Sequence, residues 1–471
     1  MKTFVTIVLV LMVAIAVTNS SGCANTIAPT GGPRDSLPPQ LVSINPKDSS
    51  LQFTGNKITL YFNEYVEVQE IQNNLIVSPV PIINPIVEGR LRVVTVRLKD
   101  TLEENTTYTI NFGDAIKDIN EGNVAKNLTY VFSTGNAIDE NTLTGNVLLA
   151  ETGKADSTLI VMLHKNADDS AVVKERPRYF AKLDGKGNFK FHHLPAGIFS
   201  VYALQDNGGM KRYSNPKQIF GFLKQPVVIG PANEPVTLLA YTEKEDQPAA
   251  TNLPAGNNRR ANNNQQPADK SLRFQTNLMN GLQDILSPLV FTFSNPLKTF
   301  DSSKVQFVDE NYAAIRNFSF QKDSTNKIIT LRHGWKENTA YNLIVDTAFA
   351  YDSAGNHITK LDTLKFRTFK ETDYGSLRIR FTNLPLDKNP VLQLVQNDKV
   401  VFTSALTTAI FYQKLFMPGE YEIRILFDDN KNGRWDAGIF FGKRQLPEAV
   451  RAINKKLTLK ANWDNETEIA L

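Results

Sequence analysis

The chain has 471 residues, of which 41% are hydrophobic and 21% are charged, and its formal net charge is +4. This length predicts about three to five domains, and the apolar content excludes a wholly disordered chain. So small a net charge gives no electrostatic case for binding nucleic acid, and we expect no such partner. Cys23 is the only cysteine, which excludes intrachain disulfide bonds and Cys-x-x-Cys zinc or redox sites.

The first 22 residues are typical of an export signal. Lys2 precedes an apolar run over 4–17, which is shorter than the about 20 residues of an ordinary membrane span. Ser21-Gly22-Cys23 resembles a bacterial lipobox, in which the cysteine is diacylated and becomes the new N-terminus. The resemblance implies removal of residues 1–22 and lipidation of Cys23, since two or three acyl chains hold a protein stably on a membrane. The alternative is an ordinary secretory signal with a chance cysteine.

Residues 23–40 are rich in Pro, Gly, Ser and Thr and are predicted to form a flexible tether. No acidic run follows the cysteine, and Ala24 stands where an aspartate retains many lipoproteins at the inner membrane. By resemblance to the sorting signals of lipoproteins, these features imply the cell outer membrane, with the protein facing the periplasm and the cell surface as the alternative. The predicted partner here is the membrane, through the N-terminal acyl chains.

Short strands with alternating apolar residues make up the rest of the chain. Clear examples are Ile58–Phe62, Val94–Leu98, Tyr108–Phe112, Leu377–Phe381 and Tyr421–Phe427. Such alternation places one face of a strand on a core and the other in water. Because Gly, Pro, Asn and Asp clusters separate the strands, and long amphipathic helical patterns are absent after the signal, we predict an all-β chain of β-sandwiches.

One motif occurs twice in the sequence. Leu102–Tyr108 matches Trp335–Tyr341 in its Glu-Asn-Thr-x-Tyr core. Each copy is followed by an aspartate, Asp118 or Asp352, then by a Gly-Asn turn and a strand that closes with Phe-x-Thr. This repeat defines two units, A and A′.

A second motif is also repeated, in the same order. The segment 195–206 matches 418–428: Pro-Ala-Gly or Pro-Gly is followed by apolar residues two positions apart and by an aspartate, Asp206 or Asp428, and the match defines units B and B′. Two motifs that repeat in one order indicate an A-B-A′-B′ array. Between the halves, 242–271 is rich in Asn, Gln and Pro, lacks apolar periodicity and is predicted to be a linker.

Unit A resembles the bacterial Ig-like domain of Bacteroidota lipoproteins. The resemblance is carried by Thr30–Pro39, the Ile58–Glu64 strand, the Glu-Asn-Thr-x-Tyr segment and the Phe132–Gly135 close, and it covers roughly residues 23–240. Units B and B′ resemble the small transthyretin-like or carboxypeptidase-regulatory-like β-sandwiches of secreted bacterial proteins. The resemblance implies an envelope lipoprotein with no catalytic residues.

The prediction is therefore an all-β fold of tandem Ig-like β-sandwich domains, in an A-B-A′-B′ array after a lipoprotein signal peptide and a flexible tether. The predicted boundaries are a signal peptide at 1–22, a tether at 23–40, an Ig-like sandwich at 41–137, a transthyretin-like sandwich at 138–241, a linker at 242–271, a divergent second Ig-like sandwich at 272–370 and a second transthyretin-like sandwich at 371–471.

The segment Asp428–Asp436 is the sharpest candidate for a metal site. Counted from Asp428, oxygen-bearing side chains fall at positions 1, 3, 5 and 9, as Asp428, Asn430, Asn432 and Asp436, and Gly433 lies at position 6. Calcium loops alternate hard oxygen ligands in this way around a glycine that permits a sharp turn. The alternative is a polar turn, because turns are built from the same residue types.

Two further sets of residues suggest glycan chemistry. The glutamates at positions 64, 67 and 70 allow a paired-acid glycosidase site, although a solvated or turn-stabilising role is favoured because no second acid lies in a recognisable context. Trp335, Trp435 and Tyr213 stand near turns, where they either stack on sugars or close the ends of sandwiches as hydrophobic plugs.

These observations predict a non-enzymatic, lipid-anchored envelope protein that spaces, scaffolds or binds an unidentified protein or glycan partner. The alternative is an accessory lipoprotein that binds glycans or helps to process polysaccharides. A third hypothesis is a calcium-stiffened adhesin, and calcium is the one cofactor that the sequence suggests.

Overall fold

The computed structural model describes residues 6–7, 12, 35–243, 271–359 and 362–471. These residues are almost entirely β, so the prediction of tandem β-sandwiches is confirmed. From residue 35 onwards, the helical elements of the described part are one-turn α-helices at Ile71–Asn74 and Ala171–Lys174 and 3-10 turns at Ser302–Lys304, Glu371–Asp373 and Leu386–Lys388.

No helix among the described residues has the length and apolar character needed to cross a membrane. Cys23, residues 24–34 of the predicted tether and residues 244–270 of the predicted linker lie outside the described part of the chain. The chain divides into two compact units, Met1–Asp139 and Glu140–Leu471.

The first unit contains the A sandwich, with strands β1 (Leu41–Asn45), β2 (Lys57–Phe62), β3 (Val66–Val68), β4 (Ile76–Ser78), β5 (Ile86–Arg90), β6 (Val93–Arg97), β7 (Thr107–Asn111), β8 (Ile116–Asp118) and β9 (Thr129–Ser133). One sheet has the order β1-β2-β6-β5, a second has the order β4-β7-β9, and β3 pairs with β8. The alternating apolar residues of β2, β6 and β7 meet in a single core that includes Leu60, Val94, Ile110 and Phe132.

The second unit begins with the B sandwich, with strands β10 (Asn141–Leu149), β11 (Leu159–His164), β12 (Tyr179–Lys182), β13 (Asn188–Leu194), β14 (Gly197–Gln205), β15 (Phe220–Phe222), β16 (Val227–Ile229) and β17 (Val236–Tyr241). The strand order is β12-β11-β14-β15-β17-β10-β13, and β16 also pairs with β14.

Both faces of β11 and β14 are buried. Val201 and Ala203 face one hydrophobic core, while the intervening Tyr202 and Leu204 face a second, aromatic cluster. This explains why the sequence of β14 is nearly continuously apolar instead of alternating with polar residues. The second face therefore needs a cover of its own.

The A′ sandwich follows, with strands β18 (Phe274–Thr276), β19 (Leu282–Gln283), β20 (Leu289–Phe293), β21 (Leu297–Phe300), β22 (Val305–Asp309), β23 (Phe318–Lys322), β24 (Ile328–His333), β25 (Ala340–Val345), β26 (Ala350–Asp352) and β27 (Asp362–Thr368). Its sheets have the orders β18-β20-β24-β23 and β19-β27-β25-β22, and β21 pairs with β26. The A sandwich has the same arrangement of strands except that its described residues contain no strand equivalent to β19.

The B′ sandwich ends the chain, with strands β28 (Gly375–Thr382), β29 (Pro390–Gln396), β30 (Lys399–Ala405), β31 (Ile410–Phe416), β32 (Gly419–Phe427), β33 (Val450–Leu459) and β34 (Asp464–Ala470). Its sheets have the orders β31-β28-β34 and β30-β29-β32-β33. The parallel pairing of β28 with β34 repeats that of β10 with β17 in the B sandwich.

The A and A′ repeats agree in their hydrogen bonds as well as in sequence. The hydroxyl of Tyr108 accepts the backbone N–H of Glu103 (2.8 Å), and that of Tyr341 accepts the N–H of Lys336 (3.4 Å). In both repeats the asparagine of the Glu-Asn-Thr motif has a positive φ, of 47° or 46°. The repeated motif is thus a turn whose tyrosine fixes the preceding backbone.

The repeated aspartates Asp118 and Asp352 are buried and serve their turns. Burial alone would raise the pKa of Asp118, but N–H groups of the following turn, at residues 121–123, outweigh it and lower the pKa. The side-chain amide of Asn356 is the largest of several hydrogen bonds that lower the pKa of Asp352 to about 2. Both aspartates are structural.

Candidate functional site

The predicted calcium loop, Asp428–Asp436, directly follows strand β32. The carboxylate of Asp428 accepts two backbone N–H groups, from Asn432 at 3.2 Å and from Gly433 at 2.6 Å. The side-chain amides of Asn430 and Asn432 both donate to Oδ2 of Asp436, at 2.5 and 2.7 Å. The loop closes on itself as a polar turn, in keeping with the turn chemistry of Asx and Gly residues.

The structure therefore joins three of the four predicted ligand side chains, those of Asn430, Asn432 and Asp436, by hydrogen bonds, while Asp428 accepts backbone N–H groups of the same loop. Among the described residues, no three His, Cys, Asp or Glu side chains form a group that could hold a metal ion. Calcium binding would require the amide oxygens of Asn430 and Asn432 to turn towards the ion. Calcium stays a prediction for this loop.

A buried glutamate that the sequence did not reveal organises the loop from behind. The carboxylate of Glu448 accepts the backbone N–H of Asp429 (2.9 Å) and of Asp436 (3.0 Å), and its carbonyl oxygen accepts Nε1–H of Trp435 (2.8 Å). Burial raises the pKa of Glu448. The acceptor is positioned by the chain that leads back into β33, 12 residues or more beyond the turn, so local spacing gives no sign of it.

Beyond the polar turn, the same connection reaches the B sandwich. Residues 439–445 form a tight hairpin, which we call the docked tip, closed by backbone hydrogen bonds between Ile439 and Gln445 at 2.9 and 2.8 Å. At its start, Phe440 is completely buried within the aromatic cluster of B. Its ring lies 5.0 Å from those of Phe220 and Phe222 and 5.7 Å from that of Tyr202. The docked tip thus supplies the cover that the second face of B needs.

Polar contacts fix the docked tip in place. The guanidinium of Arg444 forms an ion pair with Asp169 and donates to the carbonyl oxygen of Leu223 (3.0 Å). The same guanidinium lies over the ring of Phe440 at 5.6 Å, and the backbone N–H of Phe440 donates to Glu243 (3.3 Å). Because this ion pair is largely shielded from solvent, it is screened less than an exposed pair.

The backbones of B and B′ approach closely beside the tip. The N–H of Val450 donates to the carbonyl oxygen of Ala150 (2.9 Å). A Cβ atom at Gly153 would lie 2.5 Å from the oxygen of Val450, and one at Gly438 would lie 2.6 Å from the ring of Tyr241. Each side of this junction therefore requires a glycine.

A histidine lies under the surface that receives the tip. His164 is buried, and its ring packs edge-on against Tyr202 at 5.6 Å. Burial lowers the pKa of His164 to about 4, because the charged imidazolium is disfavoured away from water. His164 is therefore neutral at pH 7 and contributes to the core.

The three aromatic residues considered for sugar stacking pack against the protein instead. Tyr213 is buried and stacks on Phe220 at 4.4 Å. Trp335 donates its Nε1–H to the carbonyl oxygen of Ser287 (2.9 Å) and packs against the A′ core. Trp435 packs against the B and B′ cores next to the docked tip. All three act as hydrophobic plugs, which was the second alternative for them.

The glutamates at 64, 67 and 70 do not form a paired-acid site. Glu67 lies in β3 and accepts a hydrogen bond from the side chain of Gln69 (2.5 Å), while Glu70 precedes the helix Ile71–Asn74 with a left-handed backbone. Burial, and then the charge of Asp118, raise the pKa of Glu64. Since the Asp118 carboxylate is already held by its own turn, this neighbour is not free to act as a second catalytic acid.

The sequence pattern predicts the polar turn but not the residues that hold this turn and the docked tip in place. Phe440, Arg444 and Glu448 lie in a stretch without strand periodicity, between β32 and β33. Two signals pointed towards them: the apolar triplet Ile439-Phe440-Phe441 within a polar loop, and the apolar residues on both faces of β14. Neither signal identifies its partner, because the contact joins residues more than 200 positions apart.

Comparison with known proteins recognises one part of the chain. Residues 35–134 match the family model of the bacterial Ig-like domain. This match supports the resemblance noted for unit A, and it covers most of the described first unit. No curated protein sequence matches the chain.

Solved structures resemble the chain only loosely. The TIE protein of Bacillus anthracis is 12% identical, with 94% of this chain and 75% of that chain covered and a TM-score of 0.17. The MG0-NIE-MG1 part of alpha-2-macroglobulin from Escherichia coli is 16% identical, with 39% and 72% covered and a TM-score of 0.20. BcpA, the major pilin subunit of Bacillus cereus, is 9% identical, with 70% and 98% covered and a TM-score of 0.16. Scores this low establish no shared arrangement.

The Ig-like match and the packing of the candidate residues agree with each other. An Ig-like sandwich at residues 35–134 fits a structural role. The polar groups that could have carried chemistry in the β32–β33 connection are engaged in hydrogen bonds within the fold.

Proposed function

We propose that this protein is a lipid-anchored structural or scaffolding protein of the cell envelope, held at the outer membrane by acyl chains on Cys23 and facing the periplasm. The observation that carries the structural role is the β32–β33 connection, in which the four predicted ligands and Trp435 make their hydrogen bonds within the fold. The Ig-like match to residues 35–134 supports the structural role.

The junction of B and B′ supports a spacing function. A′ lies between these two sandwiches in the sequence, yet the docked tip packs directly into B. The path from B through A′ to B′ is therefore closed by a noncovalent contact. Since contacts that bridge distant parts of a chain oppose their separation, we expect the second unit to resist extension and to act as a stiff body.

Lipid anchoring is tested by Cys23→Ala in the full chain, expressed in a bacterium with lipoprotein processing. We expect the wild type to incorporate labelled palmitate and to sediment with outer membranes, and the variant to lose the label and to appear in the soluble periplasmic fraction. Ser21→Ala, which keeps a small residue before the cysteine, is the matched control. Retention of the Cys23→Ala chain in membranes would contradict the anchor.

Glycan binding remains a second candidate because one sheet face exposes aromatic and charged residues. On the outer face of β31-β28-β34, Arg378 lies between Tyr412 and Glu466, which it contacts from neighbouring strands. Tyr412 is exposed, as is Trp463 in the turn before β34. Aromatic rings beside charged groups are suited to stacking on sugars.

The glycan candidate is tested by cosedimentation with purified peptidoglycan and envelope polysaccharide. If this face binds sugars, Tyr412→Ala and Trp463→Ala should each weaken binding about tenfold, whereas Ile410→Ala, an exposed aliphatic residue on the same sheet, should not. Unchanged binding in both aromatic variants, or no binding by the wild type, would exclude glycan binding at this face. Scaffolding would then be the single proposed role.

A further inference from the structure

At one end of the A sandwich, three large apolar side chains are exposed on neighbouring segments of the backbone. Leu91, Ile119 and Tyr65 are 63%, 51% and 49% exposed. They adjoin each other through the backbone: the N–H of Ile119 donates to the oxygen of Tyr65 (3.3 Å), and that of Val66 donates to the oxygen of Leu91 (2.8 Å). We call these three side chains the apolar end.

The backbone conformation at Leu91 is unfavourable for a leucine. Leu91 lies in the two-residue turn between β5 and β6 with φ = 55°. Left-handed backbone is unfavourable for a branched aliphatic residue, and glycine or asparagine would be preferred in such a turn. A leucine that is both strained and exposed contributes nothing evident to folding, which points to a role outside the fold.

The N-terminal segment joins the sandwich at this same end. The backbone of Gln40 exchanges hydrogen bonds with Asn63, at 2.8 and 3.1 Å, two residues before Tyr65. The carbonyl oxygen of Asp35 accepts from the side chain of Asn123 (3.2 Å), just beyond Ile119. The chain that leads back to Cys23 therefore starts beside the apolar end.

The length of that chain limits how far the end can move from an anchor. Eleven residues lie between Cys23 and Asp35, which makes twelve steps along the chain, and a fully extended chain spans at most about 3.6 Å per step. The apolar end would stay within about 40 Å of lipidated Cys23, roughly one bilayer thickness. A bilayer is therefore held at high local concentration next to this surface.

We propose that the apolar end is a membrane-contact surface, which inserts Leu91, Ile119 and Tyr65 into the bilayer that anchors the protein. The inference rests on the proposed lipidation of Cys23. Leucine and isoleucine side chains partition into the acyl region, and tyrosine favours the interface between acyl chains and headgroups. Arg92, which lies over the Tyr65 ring at 5.2 Å, is placed to reach the lipid phosphates.

The local charges favour zwitterionic lipid over strongly anionic lipid. Acidic groups at this end, Asp35, Glu64 and Glu121, accompany the basic groups Arg90 and Arg92. The mixture offers no net attraction to an anionic surface. Contact should consequently depend on apolar insertion and should change little with salt.

The test uses residues 23–471 with the Cys23 thiol coupled to a maleimide lipid in phosphatidylcholine vesicles that contain a diazirine-bearing acyl chain. Chemical coupling replaces native lipidation, so the result does not depend on cellular processing. After irradiation, mass spectrometry maps the residues labelled by the lipid. We expect labelling of Leu91, Ile119 and Tyr65 at least fivefold above that of Ile82, which is 83% exposed near the other end of β5.

Leu91→Asn separates membrane contact from folding. Asparagine tolerates the left-handed backbone, so the variant should unfold at the same temperature or higher, while labelling of Tyr65 and Ile119 falls several-fold. Ile82→Asn is the matched control and should leave that labelling unchanged. Equal labelling of Ile82 and Leu91, or no effect of Leu91→Asn, would overturn the inference. Such a result with normal membrane anchoring through Cys23 would leave the proposed function intact.

Discussion

The loops that follow β14 and β32 leave equivalent strands of B and B′ and begin with an aspartate, but they have opposite fates. After β14, Asp206 accepts the backbone N–H of Lys211 (3.1 Å), and Tyr213 folds back onto its own sandwich. After β32, Asp428 caps a turn, and the chain then carries Phe440 into the other sandwich. A shared turn motif therefore determines where a loop starts but not what it does.

The difference follows from which faces are already covered. Strand β14 buries both of its faces, and the residues of its own loop cover only part of the second one. The docked tip completes that cover, and Phe441 beside it stacks on Tyr213 at 6.1 Å. The second hydrophobic face of B is thus covered by a loop of B′, the repeat of B in the same chain.

Phe440→Ala should cause the largest loss of stability, because it removes the ring through which the docked tip covers B. Loss of a fully buried phenylalanine ring leaves a cavity and typically costs about 3–5 kcal/mol of unfolding free energy. We expect the second unit to unfold at lower denaturant concentration and B to become sensitive to proteases. Chemical denaturation of the full chain, followed by limited proteolysis, measures both.

Phe441→Ala is the matched control for this variant. Phe441 is the neighbouring phenylalanine but is exposed, so its loss should cost less than about 1 kcal/mol. Equal effects of the two substitutions would mean that burial of Phe440 does not hold B and B′ together.

Acidification should loosen the same contact through His164. The pKa of His164 falls from its usual 6.5 to about 4 on burial, so the unfolded chain binds a proton that the folded chain excludes. The stabilisation is complete above about pH 6.5 and is lost as the pH falls towards 4, by up to about 1.4 kcal/mol per pH unit.

His164→Gln isolates this effect, because glutamine stays neutral over the whole range. Thermal unfolding of wild type and variant between pH 4 and 7 should show a smaller loss of stability on acidification in the variant. Parallel pH profiles for the two proteins would argue against His164 as the titrating group.

Arg444→Met should have an intermediate effect. It removes the ion pair with Asp169 and the hydrogen bond to Leu223 while keeping much of the apolar stem, and we expect a loss of about 1–3 kcal/mol. Lys154→Met is the control, since Lys154 pairs with Glu422 across the same junction at 3.0 Å, and with Asp398 at 3.2 Å, but is 43% exposed against 27% for Arg444, and its loss should cost at most about 1 kcal/mol. A larger effect at Lys154 would contradict the proposed importance of the docked tip.

Local patterns predicted the fold well because β-sandwiches reveal themselves through short-range signals. The alternation in β2 and β7 and the repeated Glu-Asn-Thr-x-Tyr turn depend on residues a few positions apart. The candidate site was predicted only in part, because Phe440, Arg444 and Glu448 act on partners that local spacing does not reveal. Trp435 shows the same limit: a tryptophan in a loop is consistent with sugar binding until its indole is seen to donate to Glu448.

The smallest effect on stability is expected from removing calcium. This measurement decides whether the Asp428 turn differs from the Asp206 turn in binding a metal ion. In the structure the carboxylates of Asp428 and Asp436 are already satisfied by N–H groups of the loop, so EGTA should leave the unfolding temperature unchanged. If calcium instead raised that temperature, and Asp436→Asn abolished the rise, the loop would be a metal site and the calcium hypothesis would be restored. Asp206→Asn, in the loop that lacks the ligand spacing, is the control that should show no calcium response. If calcium changes the unfolding temperature of neither the wild type nor the two variants, Asp206 and Asp428 are equivalent turn caps. The docked tip is then the one functional difference between the loops.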